Sequence, residues 1–113
     1  MHIGSADDFK REVEKSELPV ILDVWSESCA PCRQLAPVLT KVATRYEGRI
    51  KVAEVTTSGP LPVLRKLGVT ATPTVLIFDR GQELGRVVGY RPRSWFDEMI
   101  ATEFPESDTA DSG

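Results

Sequence analysis

The seven residues from Pro19 to Trp25, PVILDVW, form a nearly continuous apolar run. Strict alternation would mark a strand with one wet face. A run that is apolar at both parities predicts a strand covered on both faces. Such a strand requires layers of structure on either side of it, and the rest of the chain supplies them.

Upstream, Ser5 has the character of an N-cap, with Asp8 three residues on. Asp7 and Asp8 fall in a first turn where the helix dipole favours acids. Phe9 and Val13 share one face of this helix, which ends before Pro19. Downstream, a helix starts at the cysteine pair, with Pro31 in its first turn. Leu35, Val38, Leu39, Val42 and Tyr46 form its apolar stripe. Pro37 lies inside it and is expected to kink it, and Gly48 is expected to close it.

A second strand runs from Ile50 to Val55, followed by a turn-rich connection, TTSGPLP. A short helix through Val63, Leu64 and Leu67 ends at Gly68. A loop from Val69 to Pro73 leads into a third strand, Thr74 to Asp79. After a turn at Arg80–Glu83, Leu84 to Val88 reads as a strand hairpin-paired to the third. The last helix follows Ser94 and presents Trp95, Phe96, Met99 and Ile100 as its buried face. The alternation predicts an α/β layer fold with helices on both faces of a central sheet, and the closing hairpin makes that sheet mixed. One domain over residues 1–104 suits a chain of 113 residues. Residues 105–113, PESDTADSG, are expected to be a disordered polar tail.

Fourteen basic against seventeen acidic residues, a net charge of -3, give no electrostatic reason to expect nucleic-acid binding. The apolar runs are too short to span a bilayer, and MHIGSADDF lacks the apolar core of a signal peptide. A soluble, cytoplasmic, monomeric protein without membrane attachment is expected.

The only two cysteines, Cys29 and Cys32, lie two residues apart in SESCAPCR. Two cysteines do not make a disulfide-rich scaffold. A structural zinc site needs about four ligands, and the one histidine, His2, lies at an end of the chain expected to be mobile. No metal or bound cofactor is expected. A staple closing so small a loop restrains little chain entropy. Two inert core thiols are the remaining bland reading, but Ser26, Glu27, Ser28, Pro31 and Arg33 give the segment the character of an exposed turn. A thiolate is the species that attacks a disulfide, and a helix N-terminus favours it. Cys29 is placed for attack. Cys32, one turn later, is placed to resolve the mixed disulfide in an intramolecular step. A Cys-x-x-Cys pair at a strand-to-helix boundary is a redox signature.

Two further residues stand out. Asp23 interrupts the apolar run. It is either an acid on a solvated face or a desolvated carboxylate of raised pKa that takes a proton from Cys32. Thr72-Pro73 precedes the third strand. Its peptide bond is either an ordinary trans turn or a cis bond that turns the Ala71-Thr72 backbone towards an extended substrate.

These pieces together resemble the thioredoxin family from about Ser5 to Phe104: ILDVWSESCAPC, Ala36-Pro37, KVAEV, Gly68-Val69, ATPTVLIF, Gly81 and Val88-Gly89, in that order. The resemblance implies the thioredoxin fold, a cis bond before Pro73 and a redox-active Cys29–Cys32 disulfide. It implies that Cys29 is the nucleophile, that Cys32 resolves, and that Asp23 is the buried carboxylate assisting it. Trp25, Ala30, Pro31, Ala71, Thr72, Pro73, Val88, Gly89 and Tyr90 would then form the substrate-binding surface. Disulfide-containing proteins and an NADPH-dependent flavoprotein thioredoxin reductase are the implied partners.

The chain also departs from the family pattern. Ser28 stands where a Trp is usual, removing apolar contact area beside the nucleophile. Ala30 replaces a Gly and adds a methyl group where a partner approaches. Glu54 replaces a Lys beside the buried acid. If Glu54 points inward it tightens the hold of Asp23 on its proton, and if it points to solvent it does not. Three functions follow for comparison: a protein-disulfide reductase, a higher-potential isomerase or oxidant, and a binding module without turnover.

Overall fold

The computed structural model describes residues 1–106, so residues 107–113 of the expected tail lie outside the described residues. In chain order the elements are α1 (Ala6–Phe9), a π-helical turn (Lys10–Glu14), β1 (Val20–Trp25), α2 (Ala30–Arg45), β2 (Lys51–Thr56), α3 (Leu61–Leu67), β3 (Thr74–Asp79), β4 (Gln82–Val88) and α4 (Arg93–Glu103). The strands form one sheet in the order β2-β1-β3-β4. β1 runs parallel to β2 and antiparallel to β3, and β3 pairs with β4 as an antiparallel hairpin.

The central place of β1 explains its composition. Every residue from Val20 to Val24 is buried. Val20, Leu22 and Val24 join the core beneath α1 and α3, with Phe9, Val13 and Val63. Ile21 joins the core beneath α2 and α4, with Leu35, Val42, Phe96 and Ile100. Asp23, by strand alternation, lies on the Ile21 side.

α1 begins as the sequence indicates. Asp8 N–H donates to Ser5 Oγ (3.0 Å), and Asp8 Oδ2 accepts from Gly4 N–H (2.9 Å). The helix then widens, with Lys15 N–H donating to Lys10 O, five residues back (2.9 Å). α2 continues through Pro37 to Arg45 and stops at Tyr46, short of Gly48, which takes a positive φ in the following turn. β4 starts two residues before Leu84. α4 buries Phe96 and Ile100 fully, whereas Trp95 and Met99 are only half-buried. Among the described residues no helix is long and apolar enough to cross a membrane.

The expected mobility of the N-terminus is corrected. Ile3 N–H donates to Glu54 O and Glu54 N–H donates to Met1 O, both at 2.8 Å, making a parallel bridge at His2–Glu54. The physical reason is that β2 would otherwise present a row of unpaired backbone groups at the sheet edge. Ile3, wholly buried, anchors the segment there.

Candidate functional site

The cysteines sit where β1 hands the chain to α2. Cys29 is the N-cap of α2, and Pro31 falls in its first turn. The two are joined as a disulfide with their Cα atoms 5.2 Å apart. Cys32 N–H donates to Cys29 Sγ at 3.2 Å, so the first sulfur caps the helix that carries the second. The surrounding Ser28, Ala30, Pro31 and Arg33 are exposed, as the turn-like composition indicates. Cys29 and Cys32 themselves are buried, so the backbone of the turn is at the surface and its sulfurs lie inward.

The Thr72–Pro73 bond is cis, in agreement with the family resemblance. Several hydrogen bonds bring this loop to the cysteine end of the sheet. The Ser26 and Thr72 hydroxyls share one at 3.0 Å, tying the segment before the cysteines to the residue before the cis proline. Thr74 Oγ1 donates to Ala71 O (2.6 Å). Gly89 N–H donates to Pro73 O (2.8 Å), placing Val88, Gly89 and Tyr90 alongside. Val88 and Tyr90 are exposed apolar side chains. Ala71 is exposed, Thr72 half-buried and Pro73 buried. Trp25 is half-buried, and its Nε1 is buried without a partner. Ser26 and Thr74 take part in this scaffold, and sequence reading did not single them out. The Ser26 contact spans 46 positions, so no local pattern signals it.

Asp23 stands behind this surface. It pairs with Glu54 on one side and Val75 on the other, in the middle of the sheet. It is 5% exposed, and its Oδ1 is buried without a hydrogen-bond partner. Of the two readings left open by the sequence, the desolvated one describes the structure. Burial raises its pKa to about 7, and the negative charge of Glu54 adds to the rise. A carboxyl that titrates near neutrality can both accept and return a proton. Asp23 also lines a cleft of about 310 Å³ between α2 and β2, walled by Ala36, Leu39, Thr40, Ala43 and Thr44, with Val52 and Glu54 opposite. Glu54 thus faces the same cleft with its side chain 46% exposed, an arrangement between the two orientations weighed for it.

Comparison with known proteins agrees with this arrangement. Residues 1–102 match the Thioredoxin family model. The chain is 40% identical over 92 residues to Thioredoxin 1 of Nostoc sp., covering 81% of this chain and 86% of that one. It is 33% identical over 100 residues to the thioredoxin of Haemophilus influenzae, covering 88% and 92%. The crystal structure of Malassezia sympodialis thioredoxin (Mala s 13) superposes with a TM-score of 0.79 at 28% identity, over 89% of this chain and 87% of the other. With the fold, the Cys-x-x-Cys disulfide at a strand-to-helix junction and these likenesses in agreement, the chain belongs to the thioredoxin family and is a thiol–disulfide oxidoreductase.

Proposed function

We propose that the protein reduces protein disulfides in the cytoplasm as a monomer, with Cys29 as the attacking sulfur and Cys32 as the resolving one. The observation that carries the assignment of roles is the Cys32 N–H aimed at Cys29 Sγ at the start of a sixteen-residue helix. In the reduced protein the same N–H and the positive end of the α2 dipole favour negative charge on the Cys29 sulfur.

The reaction then follows in two exchanges. The Cys29 thiolate attacks one sulfur of the substrate disulfide, and the other sulfur leaves as a thiolate. Cys32 loses its proton to Asp23 and attacks Cys29, forming the Cys29–Cys32 disulfide and releasing the second substrate sulfur. Two electrons pass to the substrate. They are returned by a thioredoxin reductase, which we take to be an NADPH-dependent flavoprotein. Trp25, Ala30, Pro31, Ala71, Thr72, Pro73, Val88, Gly89 and Tyr90 form the docking surface in this reading. The exposed Val88 and Tyr90 supply its apolar contact.

Replacing the resolving sulfur tests the roles. Cys32→Ser should accumulate mixed disulfides with substrate proteins through Cys29, seen as thiol-reversible adducts by mass spectrometry. Cys29→Ser should form none through Cys32. Adducts on Cys32 at equal yield would remove the assignment.

A further inference from the structure

The sixteen residues of α2 carry three cations, Arg33, Lys41 and Arg45, and no acid, in a chain whose net charge is -3. With Pro37 these residues are spaced four apart, so all four lie on one ridge of the helix. Each of them is exposed. The buried residues of α2, Cys32, Leu35, Leu39 and Val42, take its other side. The ridge begins one residue past Cys32 and runs about 18 Å to Arg45. α4 adds Arg93, which meets Pro37, Val38 and Lys41 around a shallow depression of about 440 Å³.

The helix gains little from this row. A solvated helix face interleaves acids with bases, so that residues four apart attract. Lys41 and Arg45 are four apart and repel. Arg33 lies near the N-terminal end, where the helix dipole disfavours a cation, and only Arg45, in the last turn, is favoured by it. Arg33 Nη1 donates to Glu27 O, an uncharged carbonyl (3.1 Å). Among the described residues, Asp97 is the one carboxylate that forms an ion pair with any of these cations. It is shared between Arg45 at 3.6 Å and Arg93 at 3.5 Å, and it also accepts from the Tyr46 hydroxyl at 2.6 Å. The row therefore keeps a net positive charge beside the disulfide of an acidic protein.

We propose that the Arg33–Lys41–Arg45 ridge, with Arg93 beside it, is a docking surface for disulfide-bearing proteins that present Asp and Glu residues next to the disulfide. The inference rests on the reading of the Ala30–Pro31 end of α2 as the place where a substrate disulfide meets Cys29. A partner seated there lies at one end of the ridge. Its flanking acids meet Arg33 first, then Lys41 with Arg93, about 14 Å beyond Cys32 along the helix axis. In an extended segment that distance is about four residues. The cations draw the acidic partner in and fix its orientation during encounter, and they take no part in the exchange of sulfurs. The depression between Lys41 and Arg93 is floored by Pro37 and Val38, which suits the mixed apolar and acidic surface of a protein. Nucleic acid fits less well, because the ridge carries no exposed aromatic side chain on which a base could stack.

The test compares three disulfide-linked peptide pairs, identical around the disulfide and flanked about four to seven residues away by Asp-Glu, Ser-Gly or Lys-Arg stretches. The reduced protein is mixed with each, and the ratio of the acidic to the neutral second-order rate is read. At about 0.02 M salt the acidic pair should react about tenfold faster than the neutral one, and the Lys-Arg pair slowest. The ratio should approach one as salt is raised to about 0.5 M. Lys41→Glu and Arg93→Glu should each bring it towards one at low salt. Thermal unfolding checks that each variant is folded, and either folded variant suffices to decide. A ratio near one in the parent at low salt, or a ratio that charge reversal does not move, would overturn the inference. A ratio near one together with a labelled oligoribonucleotide that the parent binds and Lys41→Glu does not would overturn it in favour of nucleic acid. If the parent fails to reduce even the neutral pair, the disulfide-reducing reading falls, and the docking inference with it.

Discussion

Asp23 shows how a side chain that destabilises the fold can also be the one the proposed exchange would draw on. A carboxylate inside a sheet loses its hydration, and here its Oδ1 gains no hydrogen bond in return. The folded protein therefore binds a proton at Asp23 up to about pH 7, against an ordinary value of 3.8. The unfolded chain releases that proton nearer the lower value, so between the two the folded state holds more protons and stability falls as pH rises. The stability present below the unfolded pKa is lost through the folded one, by about 4 kcal/mol at most. Asp23→Asn, neutral throughout, should be more stable than the parent at pH 8. The difference should shrink towards zero near pH 4, as read by urea unfolding at both pH values. An equal difference at both would mean that Asp23 is not held protonated. The break in PVILDVW made Asp23 legible as an anomaly. Whether the acid was solvated was not legible, because it depends on β1 lying at the centre of the sheet, a fact about the partners of the strand. The Ser26–Thr72 contact was hidden for the same reason.

At the scale of elements, local chemistry wrote most of the boundaries. Ser5 capped α1, Pro31 opened α2, and Gly68 ended α3 in the left-handed conformation its missing side chain allows. What local pattern did not carry was the widening of α1 into a π turn and the docking of residues 1–3 on β2. The first leaves Phe9 and Val13 buried on one side, so the apolar pattern is the same for either helix. The second is specified by an open sheet edge, which no short stretch encodes. Gly81, in the β3–β4 turn, combines a φ of +83° with a close approach: a Cβ there would lie 2.5 Å from Glu14 O. Gly68 has a φ of +65° but nothing near its missing Cβ. Gly68→Ala should therefore cost about 1 kcal/mol from conformation alone. Gly81→Ala should cost about 2 kcal/mol or more, because the turn must also move off the π turn. Denaturant unfolding of the two variants compares them directly, and equal losses would show that the turn yields without cost.

The whole molecule is a sheet with two cores, and its chemistry is gathered at one end. β1 carries apolar side chains into both layers and delivers the chain to the cysteines, while β3 begins at the cis proline beside it. The family likeness was legible because these pieces occur in one order along almost the full domain. The departures at Ser28, Ala30 and Glu54 were legible as substitutions. Their consequences were not, since each depends on what lies opposite: a partner for the first two and the α2–β2 cleft for the third. Ser28 and Ala30 are both exposed beside the sulfurs and outside the core, on the face where a partner would dock in the proposed reading. The most direct measurement of the central claim, that this is a disulfide-reducing member of the family, is the midpoint potential of the Cys29–Cys32 couple, by equilibration in defined thiol buffers followed by trapping of free thiols. A reductase is expected near -270 mV. A value near -180 mV or above, in the range of protein disulfide isomerase, would contradict it and assign the pair to disulfide formation or isomerisation.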